Sequence, residues 1–392
     1  MTTRGTIFSD VIAQYPQDEI LEQIHACSTS QVEQALRAER LDLRDFMALI
    51  SPAAQGYLEP MAQRSHQITR QRFGNNIYLY TPMYLSNECS NGCKYCGFNA
   101  SNNIPRATLS MDAIEKEARI IHAYGFRHIL LLTGEARKLA DNRYLVEAIE
   151  RIKPLFSSIS IEVYPMDTSG YAQVIEAGVD GLTVYQETYN PKLYAELHPY
   201  GKKRDYTYRL EAPDRAGAAG MRRIGIGALL GLGDFVSEAF YTGLHARYLA
   251  KRYWRSQVSV SFPRIRPADG GFAPLEMVSD AQLVQMLCAM RLLLPDAGLY
   301  LSTRESATLR DNLMPLGITH MSAGSCTAPG GHSKDTAATE QFAIDDDRTP
   351  EGMSTIIRAK GLEAVWKDWD SAFLNRDVDV PVTSGRHGGV HT

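Results

Sequence analysis

The chain has 392 residues, 44% hydrophobic and 22% charged, an ordinary balance for a globular protein that can bury a sizeable core. Its 41 basic and 45 acidic residues leave a net charge of −4, so it carries no electrostatic footprint for nucleic acid or an anionic membrane. No run of about 18 apolar residues occurs, and no signal-type apolar stretch follows the first residues. Six cysteines, three of them on one loop, suit a reducing compartment and point to the cytoplasm.

Residues 1–75 read as several short helices, with caps such as Ser30, forming an N-terminal layer. From residue 76 onward short β-rich runs alternate with amphipathic stretches. Strands are expected at 76–85, 128–133, 158–164, 181–187, 223–230, 257–265, 299–305 and 318–323. Helices are expected at 111–124, 143–152, 171–177, 209–220, 235–252 and 280–293, with Ser110 as one N-cap. Eight strands, each followed by a mostly helical connection, predict a closed (β/α)8 barrel over 76–326. After it, 327–348 reads as a loop rich in Gly, Thr and Asp. A helix at about 350–360 and the stretch Val365-Trp366-Lys367-Asp368-Trp369-Asp370 follow, so 327–380 forms a C-terminal extension and 381–392 a disordered tail.

The most specific chemical signal is Asn87-Glu88-Cys89-Ser90-Asn91-Gly92-Cys93-Lys94-Tyr95-Cys96-Gly97-Phe98, with cysteines spaced C-x3-C-x2-C. Three thiolates on one loop can hold three irons of a [4Fe–4S] cube and leave the fourth open to a small molecule. A structural zinc site would want four ligands from two knuckles, and no second C-x2-C or H-x3-H occurs. Cys27, Cys288 and Cys326 are scattered and read as packing residues, too few for a second cluster. A parallel barrel carries its active site at the C-terminal ends of its strands. There the sequence sets Thr133-Gly134-Glu135, Glu162, Tyr185-Gln186-Glu187, Arg264-Ile265-Arg266 and Ser302-Thr303-Arg304-Glu305. Any one of these is more often a solvated loop residue or a helix cap. Their convergence on the cysteine face favours a ligand site.

The cysteine pattern, with Tyr95 before and Phe98 after the third cysteine, resembles the radical S-adenosylmethionine (SAM) enzymes. The resemblance implies that SAM chelates the open iron through its amino and carboxylate groups. Thr133-Gly134-Glu135 is similar to the superfamily's GGE element, which implies Gly134 and Glu135 at the amino end of SAM. Glu187 and Arg209 resemble an acid and arginine pair for its methionine part, with Glu162 at the ribose or methionine end. Tyr95 and Phe98 would flank the cluster and the adenine. The run Gly225-Ile226-Gly227 resembles a fifth-strand element whose glycines let backbone approach the adenine.

The cysteine loop, Val184-Tyr185-Gln186-Glu187-Thr188-Tyr189, Ser261-Phe262-Pro263-Arg264-Ile265-Arg266-Pro267, Leu301-Ser302-Thr303-Arg304-Glu305 and Trp366-Lys367-Asp368-Trp369-Asp370 together resemble the 2-iminoacetate synthases, over roughly residues 30–375. That family implies a lyase cleaving the Cα–Cβ bond of L-tyrosine to p-cresol and 2-iminoacetate (dehydroglycine), with 5′-deoxyadenosine and methionine released, for the thiazole moiety of thiamine. It also implies a thiazole synthase as partner and a flavodoxin- or ferredoxin-type reductant. Arg304 is the expected bidentate clamp on the tyrosine carboxylate, with Ser306 and one of Arg264 and Arg266 near the substrate, and Arg304 and Tyr95 as catalytic candidates. Two alternatives share the family: the tyrosine lyase of hydrogenase maturation, whose second cluster needs further cysteines, and a tryptophan lyase. A non-catalytic iron–sulfur or SAM-binding module is the reading from a different class.

Overall fold

The computed structural model describes residues 6–367; the expected tail, and the stretch from Asp368 to Asp370, lie outside the described residues. Strands β1 (Asn76–Ser86), β2 (His128–Thr133), β3 (Ser158–Glu162), β4 (Gly181–Glu187), β5 (Arg223–Ala228), β6 (Gln257–Ser261), β7 (Gly298–Leu301) and β8 (His320–Ser322) pair in sequence order. β1 pairs with both β8 and β2, which closes the ring, and every pairing is parallel. This is an eight-stranded parallel barrel with helices around it. No described helix is long and apolar enough to cross a membrane.

A period of two decides what faces where. Ile77, Leu79, Met83 and Leu85 of β1, Ile129 and Leu131 of β2, and Leu299 and Leu301 of β7 belong to the apolar core packed against the helices. The alternating set, including Tyr80 and Tyr84, Leu130 and Leu132, Glu162, Tyr185, Ser261, Tyr300 and Ser322, lines the inside. At the lower end the interior is polar. Arg223 Nη2 donates to Ser158 Oγ (2.5 Å), Ser160 Oγ (3.0 Å) and Asp180 Oδ1 (3.2 Å), and lies 3.0 Å from His128 Nε2. His320 stacks on Tyr300, ring centroids 4.1 Å apart. Burial, and then the neighbouring Arg223, hold both histidines well below their ordinary pKa, so both are neutral.

The strands are shorter than alternation suggests where the ladder loses a donor or a partner. β6 stops at Ser261 because Phe262 leads into Pro263, which has no N–H; one isolated bridge, Leu230 to Arg264, resumes beyond it. The helix expected at 209–220 is two pieces, Tyr206–Leu210 and Ala212–Ala218, with Pro213 opening the second. In the N-terminal layer Ser28, not Ser30, caps helix Thr29–Arg37, through a capping box with Gln31. That layer shares the barrel's core: Phe46 and Leu49 sit with Leu287 and Leu293 of helix Asp280–Leu293. A ninth strand, β9 (Glu363–Val365), pairs in parallel with the start of β1, and Arg127 N–H donates to the Trp366 carbonyl. The extension at 327–380 therefore adds a strand to the sheet itself.

Candidate active site

The loop after β1 carries the three cysteines, and its backbone is fastened from several sides. Ser90 N–H and Oγ donate to the Glu135 carbonyl (2.9 and 2.8 Å), Lys94 N–H to Leu197 (3.1 Å) and Gly97 N–H to Gln341 (3.2 Å). The Arg106 guanidinium donates to the carbonyls of Asn87 (2.8 Å), Phe98 (3.2 Å) and Asn99 (2.8 Å). Gly134 is where the second strand end passes closest: a Cβ there would lie 2.2 Å from the Glu88 carbonyl oxygen. Phe98 is buried beneath the loop, edge-on to Tyr84 at 5.9 Å.

Cys89, Cys93 and Cys96 line one cavity together with Thr133, Gly134, Glu135, Glu162, Glu187, Lys203 and Arg209. Among the described residues no three His, Cys, Asp or Glu side chains gather about a single ion. A cubane asks for something else, thiolates spread over separate irons. Burial pushes the Cys93 thiol up to about 12, against the pull of Lys203; a bound metal deprotonates a ligating thiol outright.

Opposite the cysteines, Glu187 ends β4 at φ 72°, a left-handed backbone rare for a residue with a side chain, at an irregularity in the β4–β5 ladder. Lys203 Nζ lies 2.6 Å and Arg209 Nη2 3.4 Å from Glu187 Oε1. Arg209 Nε also donates to the Tyr185 carbonyl at 2.7 Å. Burial raises the Glu187 carboxyl, but Lys203 and Arg209 outweigh it and hold it below its ordinary value. Glu187 thus carries two buried cations, Lys203 and Arg209, which face the cavity with it. Glu135 is buried, held by Asn91 Nδ2 (2.8 Å) and Arg137 Nη2 (3.2 Å).

The cavity continues into the barrel. Glu162 lines both the cysteine cavity and the deeper one beneath Arg304, and no hydrogen bond or ion pair to its carboxylate is found among the described residues. Burial pushes that carboxyl up to about 7, with Arg304 acting the other way. Arg304 has no carboxylate partner either: its guanidinium sits 3.4 Å from the centre of the Phe342 ring, and Nη1 donates to the Arg264 carbonyl at 3.4 Å. Among the described residues, a carboxyl group and a guanidinium, neither ion-paired, thus face one cavity.

Other expected residues are placed differently. Arg264 is held by Glu305 (Nε to Oε1 3.0 Å) and Asp280 (2.8 Å), so it is not available to a substrate. Arg266 does line the cavity, paired with Asp345 at 2.8 Å, its Nε buried without a partner. Ser306 caps helix Ala307–Leu313 by accepting from Leu309 N–H, and Ser302 and Thr303 line the cavity instead. The Tyr95 hydroxyl is committed to His198 Nε2 at 2.7 Å, which leaves its ring as the part that can meet a ligand. The space beside Gly227 is filled by Tyr185 and the Ser261 carbonyl, so this glycine accommodates its neighbouring strands, not an adenine. Three contributors carried no sequence signal: Lys203, Gln341 and Phe342. Gln341 accepts from Tyr84 Oη (2.7 Å) and its Nε2 lies 3.7 Å from Cys96 Sγ, so the loop after β8 closes over the cysteines. Only the length of that loop hinted at a role.

Residues 83–239 match the family model of the Radical SAM superfamily, and 261–363 that of the Biotin and Thiamin Synthesis associated domain. The chain is 47% identical over 370 residues to 2-iminoacetate synthase of Escherichia coli (strain K12), covering 94% of this chain and 98% of that protein. This chain belongs to the 2-iminoacetate synthase family. The Salmonella typhimurium enzyme of the same name is also 47% identical, over 93% of this chain and 97% of its own. Among solved structures, HydG, a maturase of the [FeFe]-hydrogenase, superposes with a TM-score of 0.84 at 28% identity, over 89% of this chain and 79% of that one. Its lower identity makes it a relative of the same barrel. The chain is therefore a radical SAM carbon–carbon lyase, and the superfamily implies a [4Fe–4S] cluster and SAM. The residues present suit both: three thiols on one cavity wall, two buried cations at Lys203 and Arg209, and a Thr133 hydroxyl buried there without a partner.

Proposed function

We propose that Cys89, Cys93 and Cys96 hold the cluster, and that SAM lies between them and β4. The net positive charge of Lys203 and Arg209 over Glu187 suits the carboxylate of its methionine part, and the Gly134–Glu135 turn its amino end. Bound there, cluster and SAM supply a 5′-deoxyadenosyl radical once an electron is delivered. Everything else is positioning and exclusion of water. Phe98, Tyr95 and the Gln341–Phe342 segment wall the space, and Glu162 stands at the junction of the two cavities.

The substrate is an aromatic amino acid, L-tyrosine, seated below SAM with its carboxylate on Arg304. The observation that carries this reading is the pair of Arg304 and Glu162, a cation and an anion, neither ion-paired, facing one cavity and matching a zwitterion. A guanidinium fits a carboxylate by two parallel hydrogen bonds. Cleavage of the Cα–Cβ bond then gives p-cresol and 2-iminoacetate for the thiazole of thiamine. A thiazole synthase receiving the short-lived imine, and a flavodoxin- or ferredoxin-type electron donor, complete the reading. We take 6–75 as a layer on the barrel and the segment after 326 as its closing flap. The test is anaerobic incubation of the reconstituted protein with SAM, a reductant and tyrosine. p-Cresol is expected in step with 5′-deoxyadenosine, and 5′-deoxyadenosine without any cresol would overturn the assignment.

A further inference from the structure

With Arg304, the substrate cavity is lined by apolar side chains, Leu130, Leu132 and Pro263 among them, and by the hydroxyl-bearing Tyr80, Tyr300 and Ser322. Tyr80 of β1 stands in register with Ser322 of β8, and the Tyr80 and Tyr300 rings lie 5.5 Å apart at 55°. Ser322 Oγ accepts from Thr303 N–H at 2.9 Å, which leaves its proton free to donate, and the Arg223 guanidinium of the polar tier beneath is a cationic neighbour of the Tyr300 hydroxyl. Four positions along β1, from Tyr84 level with the cavity junction down to Tyr80, span roughly 13 Å. That is room for a tyrosine with a hydrogen bond of about 2.8 Å at either end.

We propose that Tyr80, Tyr300 and Ser322 form the receptor for the phenol hydroxyl of the substrate and are what makes the enzyme select tyrosine over phenylalanine. The proposal rests on the tyrosine-lyase reading and deepens it: Arg304 and Glu162 grip the part common to all amino acids, whereas only the floor can tell one aromatic ring from another. Hydroxyls facing a ring that offers them no partner are costly to bury. A site built to hydrogen-bond a substrate hydroxyl rejects the analogue lacking it by about 10⁴-fold or more.

The experiment is equilibrium binding of tyrosine and of phenylalanine to the reconstituted, SAM-loaded protein and to its Tyr80→Phe/Tyr300→Phe variant. The parent is expected to prefer tyrosine strongly, and the variant to lose that preference by ~100-fold or more, with iron content and SAM affinity unchanged. A preference that survives in the variant, or a parent that binds both amino acids equally, would overturn the proposal. If the double variant does not fold, each single variant carries the same comparison with a smaller loss, about tenfold. Formation of p-cresol by the parent is scored separately, so a wrong floor and a wrong reaction give different results.

Discussion

Glu162 and Arg304 are each surrounded by groups that are paired, and that contrast gives them their meaning. Glu305, next to Arg304 in sequence, is spent on Arg264, which frees Arg304 for a ligand. Replacing Arg304 by Lys keeps the charge but removes the fork that orients a carboxylate. The ratio of p-cresol to 5′-deoxyadenosine under single-turnover conditions should fall by ~100-fold, the scale of about 1 Å of misplacement at a reacting centre. An unchanged ratio would transfer the clamp to Arg266. For Glu162 the sign of a pH effect follows from its carboxyl being raised to about 7 by burial. A cationic group of a ligand binds the ionised form only, so below that pH binding must release a proton and weaken, and above it must not. Calorimetry of ligand binding in buffers of different ionisation heat should show this release in the parent and lose it in Glu162→Gln. The same pH trend in both proteins would clear Glu162 of the role.

At the scale of elements, what was legible in the sequence followed the regularity of each segment. The cysteine loop and the eight strand positions were readable because spacing and period-two alternation are local properties. That Arg304 lines a cavity was readable because several polar strand ends converge on the face that carries the cysteines. Lys203, Gln341 and Phe342 lie in irregular loops, where sequence distance says nothing about spatial approach. β9 was missed because three residues, Glu363–Val365, are too short to show a period, and its pairing with β1 is purely tertiary. The expected helix at 209–220 ignored the break that Pro213 makes. The choice between Arg264 and Arg266 stayed open, and Ser306 was set beside the substrate, since only the fold shows Glu305 and the Leu309 N–H taking up Arg264 and Ser306. The approach of the second strand end to the cysteine loop gives a prediction of its own. With a Cβ 2.2 Å from the Glu88 carbonyl, Gly134→Ala must displace the loop. Iron after reconstitution should drop well below the ~4 atoms per chain of one cube, while the far-ultraviolet circular dichroism of the barrel is retained. Full iron loading in this variant would show that the loop tolerates the shift.

Over the whole molecule, the barrel is a vessel graded from top to bottom. The upper rim carries thiols and the buried Lys203, Arg209 and Glu187 cluster, the middle Arg304 and Glu162, and the lower end hydroxyls over a polar plug built on Arg223. The loop after β8 and β9 tie the far end of the chain to the cysteine loop and to β1, so the site is enclosed by segments distant in sequence. On the proposed function, such an arrangement would order cofactor and substrate along one axis and keep water from the radical. The measurement that bears most directly on this account is product analysis by mass spectrometry with uniformly ¹³C-labelled tyrosine, SAM and reductant under strict anaerobiosis. The account predicts labelled p-cresol that keeps every ring carbon and the Cβ, matched by a labelled two-carbon fragment recovered as glyoxylate after hydrolysis of the imine. Label that stays in intact tyrosine while SAM is consumed, or an aromatic product that has lost the Cβ, would contradict it.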